Sequence, residues 1–381
     1  MEKIKITEIV GGGFNNKGAE LMLSACCQAL NHEAFCKLAI DWRIGNYGQR
    51  AEYKLLHKIN IYKLKRWGNI PIDILPAEKK QRLGIVSASE IDIMLDISGF
   101  AYSDQWPIGR TEMMLKRIQW QQSKGLRYFL LPQAYGPFKR NNMRSLCKQY
   151  FDSADILYVR DRLSLEYMVE LMGDGDDRVK LCPDFTCLVD PIAPMESPSQ
   201  DYVCIVPNFK MLDPQHGNFG EPYMDLLLRA IEQCHEKGFE VVLVNHEGQE
   251  DLDILVELQK RSKHKTKIIR GGGPRELKGV FTNARFVIAS RFHALVSSIT
   301  QGVPVIGTGW SHKYKELFAD FGIEEYLVSV DGEVDVMSDL ISHLSDPKNC
   351  DSVRCKIQIG AEAYKNASLH MWKDIKSMMM R

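Results

Sequence analysis

Short runs rich in β-branched and aromatic residues recur along this chain, and a helix-patterned stretch follows nearly every one. KIKITEIV, FCKLAID, EIDIMLDIS, RYFLLPQ and ILYVR stand in the first half, among helical stretches such as AELMLSACCQAL, IGRTEMMLKRIQWQQSK and RDRLSLEYMVELMG. YVCIVPN, FEVVLVNHE, TKIIR, ARFVIAS and GVPVIGT repeat the pattern in the second half. Strands that point the same way cannot be joined by tight turns; each needs a crossover, usually a helix. The alternation therefore predicts an α/β protein whose parallel sheets are wrapped by helices.

One interruption breaks the rhythm. From Asp190 to Asp201 the text reads DPIAPMESPSQD, with three prolines and no periodicity, and the alternation then restarts. At 381 residues the chain is also longer than one core usually organises. The expected organisation is a Rossmann-like domain over residues 1–189, a linker over 190–201 and a second Rossmann-like domain over 202–381 that ends in a helix from about Lys348. Two comparable doubly wound domains facing a cleft suggest the GT-B architecture, with the ligand in the cleft.

Charge and cysteine content narrow the partners. Lys plus Arg and Asp plus Glu are both 49, so nothing in the bulk charge calls for nucleic acid or an anionic membrane, and any anion must be met by a local cluster. The ten cysteines include no CxxC and no zinc-like spacing with histidine, which reads as reduced, buried thiols and no metal site. The opening apolar run is too short for a signal segment, and no run approaches the roughly 20 apolar residues of a membrane span. A cytoplasmic protein is expected.

The chemistry gathers where strands end. In SRFHALVSSITQGVPVIGTGWSHKYKEL, Ser290 to Leu317, the core-like strand-helix-strand text carries Arg291 and His293 at one joint and His312 and Lys313 at the other. If ARFVIAS and GVPVIGT are neighbouring parallel strands, both joints open on one crevice, and Arg291 to His293 begin a helix whose first N–H groups favour an anion. Arginine, imidazole and ammonium together suit a small, multiply charged anion and proton transfer. The plainer reading pairs Arg291 with a surface carboxylate, makes His293 a helix cap and pairs Lys313 with Glu316. In the first half, YVRDRLS places Arg160 at a strand end in the same way, with Asp155 or Asp161 as the plain partner.

SRFHAL followed by GVPVIGTGWSHKY, with LPQAYGPF, YVRDRLS and the opening GGGFNNKGAE, resembles the polysaccharide pyruvyltransferases over nearly the whole chain. The resemblance implies a GT-B-like enzyme that takes pyruvate from phosphoenolpyruvate and places it as a ketal across two hydroxyls of a sugar, releasing phosphate. Position by position it implies phosphoenolpyruvate binding by Arg160, Arg291, Phe292, His293 and Lys313, with His293, Lys313 and Arg160 in the chemistry. It implies no cofactor beyond the donor itself. The acceptor it implies is a hexose in a lipid-linked unit met at the inner membrane face, in capsule or exopolysaccharide synthesis; a homo-oligomer stays open.

The residues themselves agree. Phosphoenolpyruvate has a carboxylate and a phosphate on three carbons, and guanidinium forks bind such oxyanions in bidentate fashion. An imidazole with an ordinary pKa near ~6.5 can give and take protons at neutral pH.

Acceptor contacts are expected from Asn15 and Asn16 in the glycine loop, from Asp96, Tyr102 and Asp104 in IMLDISGFAYSDQW, from Gln133, and from Trp310 and His312. GGGFNNKG lacks both the GxGxxG spacing and the Walker lysine-hydroxyl pair, so it reads as a tight turn rather than a nucleotide loop. RGGGPRELKG is a second place for an anion, ranked behind SRFH because it has no proton-transfer residue. QHGNFGEPY reads as a flexible loop, with His216 in solvent. The rival function is a GT-B nucleotide-sugar glycosyltransferase, which would want an acidic residue late in the second domain; EVDVMSDL places none convincingly.

Overall fold

The computed structural model describes residues 4–59, 61–64, 68–123, 125–194, 198, 201–309, 311–331 and 334–381. The chain divides into two compact units. Unit 1 takes Met1–Phe14, Met22–Phe185 and Ser368–Arg381, and unit 2 takes Asn15–Leu21 and Thr186–Ala367.

Unit 1 is built on β1 (Lys5–Val10), β2 (Cys36–Asp41), β3 (Leu56–Lys58), a side hairpin of β4 (Ile61–Leu64) and β5 (Gly68–Pro71), then β6 (Ile85–Val86), β7 (Ile93–Asp96), β8 (Arg127–Gln133), β9 (Ile156–Val159) and β10 (Val179–Leu181). Apart from the hairpin these pair in parallel in the order β10-β9-β8-β7-β1-β2-β3-β6. Register aligns Val10 with Asp96 and Asp96 with Leu130, so neighbouring strands end together.

Unit 2 adds β11 (Tyr202–Val206), β12 (Glu240–Val244), β13 (Lys267–Ile269), β14 (Val287–Ala289), β15 (Val305–Thr308) and β16 (Leu327–Val328). All are parallel, in the order β13-β12-β11-β14-β15-β16. This is the strand order of a dinucleotide-fold sheet, reversing direction between β11 and β14. A sheet covered on both faces needs strands that are apolar throughout rather than alternating. Every residue of β11, β14 and β15 is accordingly buried.

All ten strands expected from the sequence are present. Of the six further strands among the described residues, β4 and β5 form the side hairpin, and β3, β6, β10 and β16 run only two or three residues, too short to show a pattern.

The division departs from a boundary at 190–201 in four places. Thr186 to Val189 belong to unit 2, where the Lys278 ammonium, 2% exposed, donates to the Thr186 and Cys187 carbonyls at 3.1 and 3.3 Å. Ile192, inside the expected linker, donates its N–H to the Arg275 carbonyl at 3.0 Å. The terminal helix, Pro347–Met380, leaves its last residues with unit 1 rather than with the second domain. There Lys5 and Arg127 each donate to a carbonyl at 2.6 Å, those of Met379 and Met378, and Trp372 packs edge-on against Phe185. A short run, Asn15–Leu21, belongs to unit 2 although its neighbours on both sides belong to unit 1. The ten cysteines are free, and all but Cys355 are buried. No helix among the described residues is long and apolar enough to cross a membrane.

Candidate active site

In unit 2 the sheet order reverses between β11 and β14, and open α/β sheets gather ligands at the strand ends beside such a reversal. Ser290, just past β14, is clamped there from several elements. Its N–H donates to the Val206 carbonyl at 2.9 Å, and its own carbonyl accepts from Asn208 Nδ2 and from the Tyr314 hydroxyl, both at 2.9 Å. Its hydroxyl bonds to those of Tyr223 and Thr308. The backbone that presents Arg291, Phe292 and His293 is thus held before any ligand arrives.

Arg291 caps the helix Phe292–Ile299 with extended backbone. Its guanidinium is largely buried and already engaged: Nε and one terminal nitrogen hold the two Asp251 oxygens at 2.8 and 2.5 Å, and the other terminal nitrogen donates to Glu247. The plainer expectation, an ion pair, is therefore realised. Its partners, however, are no ordinary surface carboxylates, since Asp251 is fully buried and Glu247 follows the end of β12. Burial pulls the guanidinium pKa down, but Asp251 and Glu247 more than restore it, so Arg291 stays charged. A guanidinium has five N–H donors, and these bonds use three of them, which leaves two for an anion.

His293 sits one residue into the same helix, and Phe292 organises its surroundings. The Phe292 ring stands edge-on to the imidazole at 5.6 Å between centroids, and the Lys313 ammonium lies 5.1 Å from the Phe292 ring centre. Imidazole and ammonium are thereby brought to one aromatic side chain that is itself 7% exposed. Lys313 belongs to the helix His312–Asp320; Trp310 lies outside the described residues, and only the backbone of His312 is described.

Gly18 completes the wall. A Cβ placed there would lie 2.1 Å from His293 Nδ1 and 2.5 Å from Cε1, so only glycine admits the imidazole. Gly18→Ala is expected to displace the ring at an overpacking cost of about 1–3 kcal/mol. The Cε1–H resonance of His293 checks it, and an unmoved signal would contradict the contact.

A second imidazole lies in this cluster. His246, 6% exposed, follows β12 and precedes Glu247. Burial, then the charges of Arg291, His293 and Lys17, hold its pKa well below the usual imidazole range.

The asparagines divide. Asn16 is spent on structure: Oδ1 accepts from the Ala19 N–H at 2.9 Å, capping the helix Lys17–Leu30, and Nδ2 donates to Glu247 at 2.6 Å. Asn15 is exposed beside it.

Unit 1 treats the expected acceptor residues differently. Asp96 is fully buried and accepts from the hydroxyls of Tyr102, Tyr128 and Tyr150 at 2.5, 2.9 and 2.8 Å, and from the Ser98 N–H. Asp96 and Tyr102 are therefore a core network rather than a ligand surface. Asp104 ties down the next loop, accepting from the Lys139 and Arg140 N–H groups at 2.5 and 3.2 Å. Gln133 is fully buried with neither amide atom bonded, while Arg160, 6% exposed, pairs with Asp184 at 3.4 Å. Neither expected partner takes Arg160: Asp155 binds Arg127, and Asp161 caps the next helix through Ser164. Gly11, with φ +85°, turns the loop after β1 so closely past Ser98 that a Cβ would meet it at 2.5 Å, as the tight-turn reading requires.

The lesser candidates are filled from within. At RGGGP the Gly273 N–H, at the start of the helix Pro274–Thr282, already donates to the Glu276 carboxylate at 2.9 Å. The adjoining cavity of about 390 Å³ is lined by Pro194, Ile269 and Leu277 among others. His216 is half-buried and bonded to Asp213 at 2.7 Å rather than standing in solvent. Among the described residues no three metal-ligating side chains gather.

Sequence reasoning missed His246, Glu247 and Asp251. The signal was in FEVVLVNHE: if that run is a parallel strand, its last residues open on the same edge as SRFH.

The fold is shared with several solved structures. The S. aureus MnaA–UDP co-structure matches with a TM-score of 0.64 at 11% identity, over 99% of this chain and 97% of that one. UDP-GlcNAc 2-epimerase from Neisseria meningitidis, bound to UDP-GlcNAc, matches at 0.59 and 10% identity, over 98% and 100%. Acinetobacter baumannii MurG matches at 0.55 and 12% identity, over 98% and 99%. At such identities the likeness speaks for a GT-B-like fold of two α/β domains. A comparison with curated proteins finds no match. The family model of the polysaccharide pyruvyl transferases matches residues 16–312, a span that takes in Arg160, Arg291 and His293 and stops one residue short of Lys313. With most of its length so matched, the chain belongs to the polysaccharide pyruvyl transferase family.

Proposed function

We propose that the protein transfers pyruvate from phosphoenolpyruvate onto two hydroxyls of a hexose in a surface-polysaccharide precursor, forming a cyclic ketal and releasing phosphate. The observation that carries this reading is the gathering of Arg291, His293 and Lys313 around Phe292 at the strand edge of unit 2, in a chain of this family. The remaining N–H donors of Arg291 take one oxyanion of the donor. His293 delivers a proton to the methylene carbon, so that C2 becomes electrophilic and a sugar hydroxyl adds. Lys313 stabilises the charge that grows on the departing phosphate. Asn15 remains a candidate for acceptor contact, together with His312 and Trp310, and Gln133 is a candidate in unit 1. The precursor is lipid-linked and met at the cytoplasmic face of the membrane.

Release of inorganic phosphate from phosphoenolpyruvate is expected with at least one member of a panel of galactosides, glucosides and N-acetylmannosaminides. Consumption of a UDP-sugar in place of phosphoenolpyruvate would turn the reading toward a glycosyltransferase, the activity of several proteins that share this fold.

A further inference from the structure

We propose that Trp42 and Tyr47 form a platform in unit 1 on which the acceptor sugar rests, with a C–H face of its ring against the two aromatic side chains. The proposal takes its substrate class from the ketal-forming reading above. In unit 1 the sheet order reverses between β7 and β1, and β2 lies next to β1. All three strands are parallel, so the segments that follow them open on one edge, the edge where open α/β sheets gather ligands. The segment at the end of β2, DWRIGNYGQR, is packed on the glycine loop after β1. A Cβ on Gly45 would lie 2.2 Å from the Phe14 ring, and a Cβ on Gly13 would meet the Ile44 side chain at 3.8 Å.

This segment is tied down, yet it shows its largest apolar side chains to solvent. One terminal nitrogen of Arg50, a residue 7% exposed, donates to the carbonyls of Trp42, Ile44 and Gly45 at 2.7, 3.0 and 2.7 Å, and Nε donates to His57 Nδ1 at 2.9 Å. The Tyr47 ring sits 5.3 Å from the His57 ring, so one buried guanidinium holds both the backbone of Trp42 and the neighbour of Tyr47. Trp42 is nevertheless 47% exposed and Tyr47 68%. Ordering a loop costs conformational entropy, and aromatic area left in water returns nothing until a ligand covers it. Charge decides the kind of ligand. The exposed Arg43 is neutralised by Asp41, whose two oxygens accept from Nε and a terminal nitrogen at 2.8 and 2.9 Å, and Lys58 approaches the same carboxylate at 3.7 Å. No cation from Asp41 to Arg50 is both exposed and unpaired, so an anionic lipid or a phosphate finds no charge to bind there. A neutral hexose finds what it needs: an electron-rich aromatic face for its weakly positive C–H groups, and the polar Asp41–Arg43 pair within the same loop for its hydroxyls.

The test uses the full-length protein with methyl glycosides of galactose, glucose and N-acetylmannosamine. Saturation-transfer NMR is expected to show at least one of them bound by the wild type, strongest at its ring C–H protons, and to lose that signal in Trp42→Ala. With the same sugar as acceptor in a phosphate-release assay, Trp42→Ala should raise the acceptor KM about tenfold, while kcat and the KM for phosphoenolpyruvate stay within about threefold. Tyr47→Ala should raise the acceptor KM about threefold or more, and Trp42→Phe, which keeps an aromatic face, should restore most of the affinity. An unchanged sugar signal and acceptor KM in both alanine variants would overturn the proposal, and so would absence of binding to every sugar. A wild-type dimer that Trp42→Ala dissociates in sedimentation, or wild-type binding to phosphatidylglycerol vesicles that Trp42→Ala abolishes, would overturn it too by naming another occupant. Trp42-dependent sugar binding in a protein that releases no phosphate would instead sink the ketal reading and leave the platform standing.

Discussion

Replacing His293 by alanine is expected to remove turnover, by about 10²–10⁴-fold, while phosphoenolpyruvate still binds. The split follows from the geometry. The N–H groups proposed to hold the anion belong to Arg291, which is fixed by Asp251 and by the Ser290 clamp, none of which needs the imidazole. Removing the ring therefore takes away the proton and leaves the charge. Calorimetry with phosphoenolpyruvate and a phosphate-release assay on the same preparation measure the two halves. Turnover at the wild-type rate would remove His293 from the mechanism, and lost binding with normal folding would make it a ligand rather than an acid.

The largest stability effect is expected at Asp251, although it touches no proposed substrate. Its carboxylate is fully buried, holds Arg291 by two bonds and accepts the Phe209 N–H at 2.9 Å. Asp251→Ala leaves a buried guanidinium with Glu247 alone and strands a backbone donor. Breaking one side of a buried pair costs about 3–5 kcal/mol, because the surviving charge has lost both water and partner. Glu247, partly exposed, should cost about 1 kcal/mol or less as Glu247→Gln. Urea unfolding of the two variants makes the comparison; equal losses would show that water reaches the Arg291 pair.

The residues show where reading from sequence succeeds. β14 and β15 were legible because a buried parallel strand is apolar throughout, and the joint after each was legible because strands of one parallel sheet end on one edge. Arg291, His293 and Lys313 followed from that rule. His246 and Glu247 obey it equally, but no lysine or arginine marks the end of FEVVLVNHE.

Unit 1 shows the opposite failure. Asp96, Tyr102 and Asp104 stand at the correct strand end, yet their oxygens are taken by the protein itself. A strand-end carboxylate looks the same in sequence whether it meets a ligand or three buried tyrosines. Likewise Asn16, an offered amide by its sequence alone, is a helix cap bound to a residue 231 positions away.

What the chain declares by itself are its local periodicities and the edge on which its strands must end, because backbone sterics and side-chain burial act over a few residues at a time. Those suffice for two α/β domains and for the joint that carries Arg291 and His293. Only the tertiary structure decided which charges are left for chemistry. The partners of Arg291 lie 40 and 44 residues away, and the glycine that faces His293 comes from the other end of the chain. Electrostatic pairing and close packing depend on separation in space, which sequence distance does not encode.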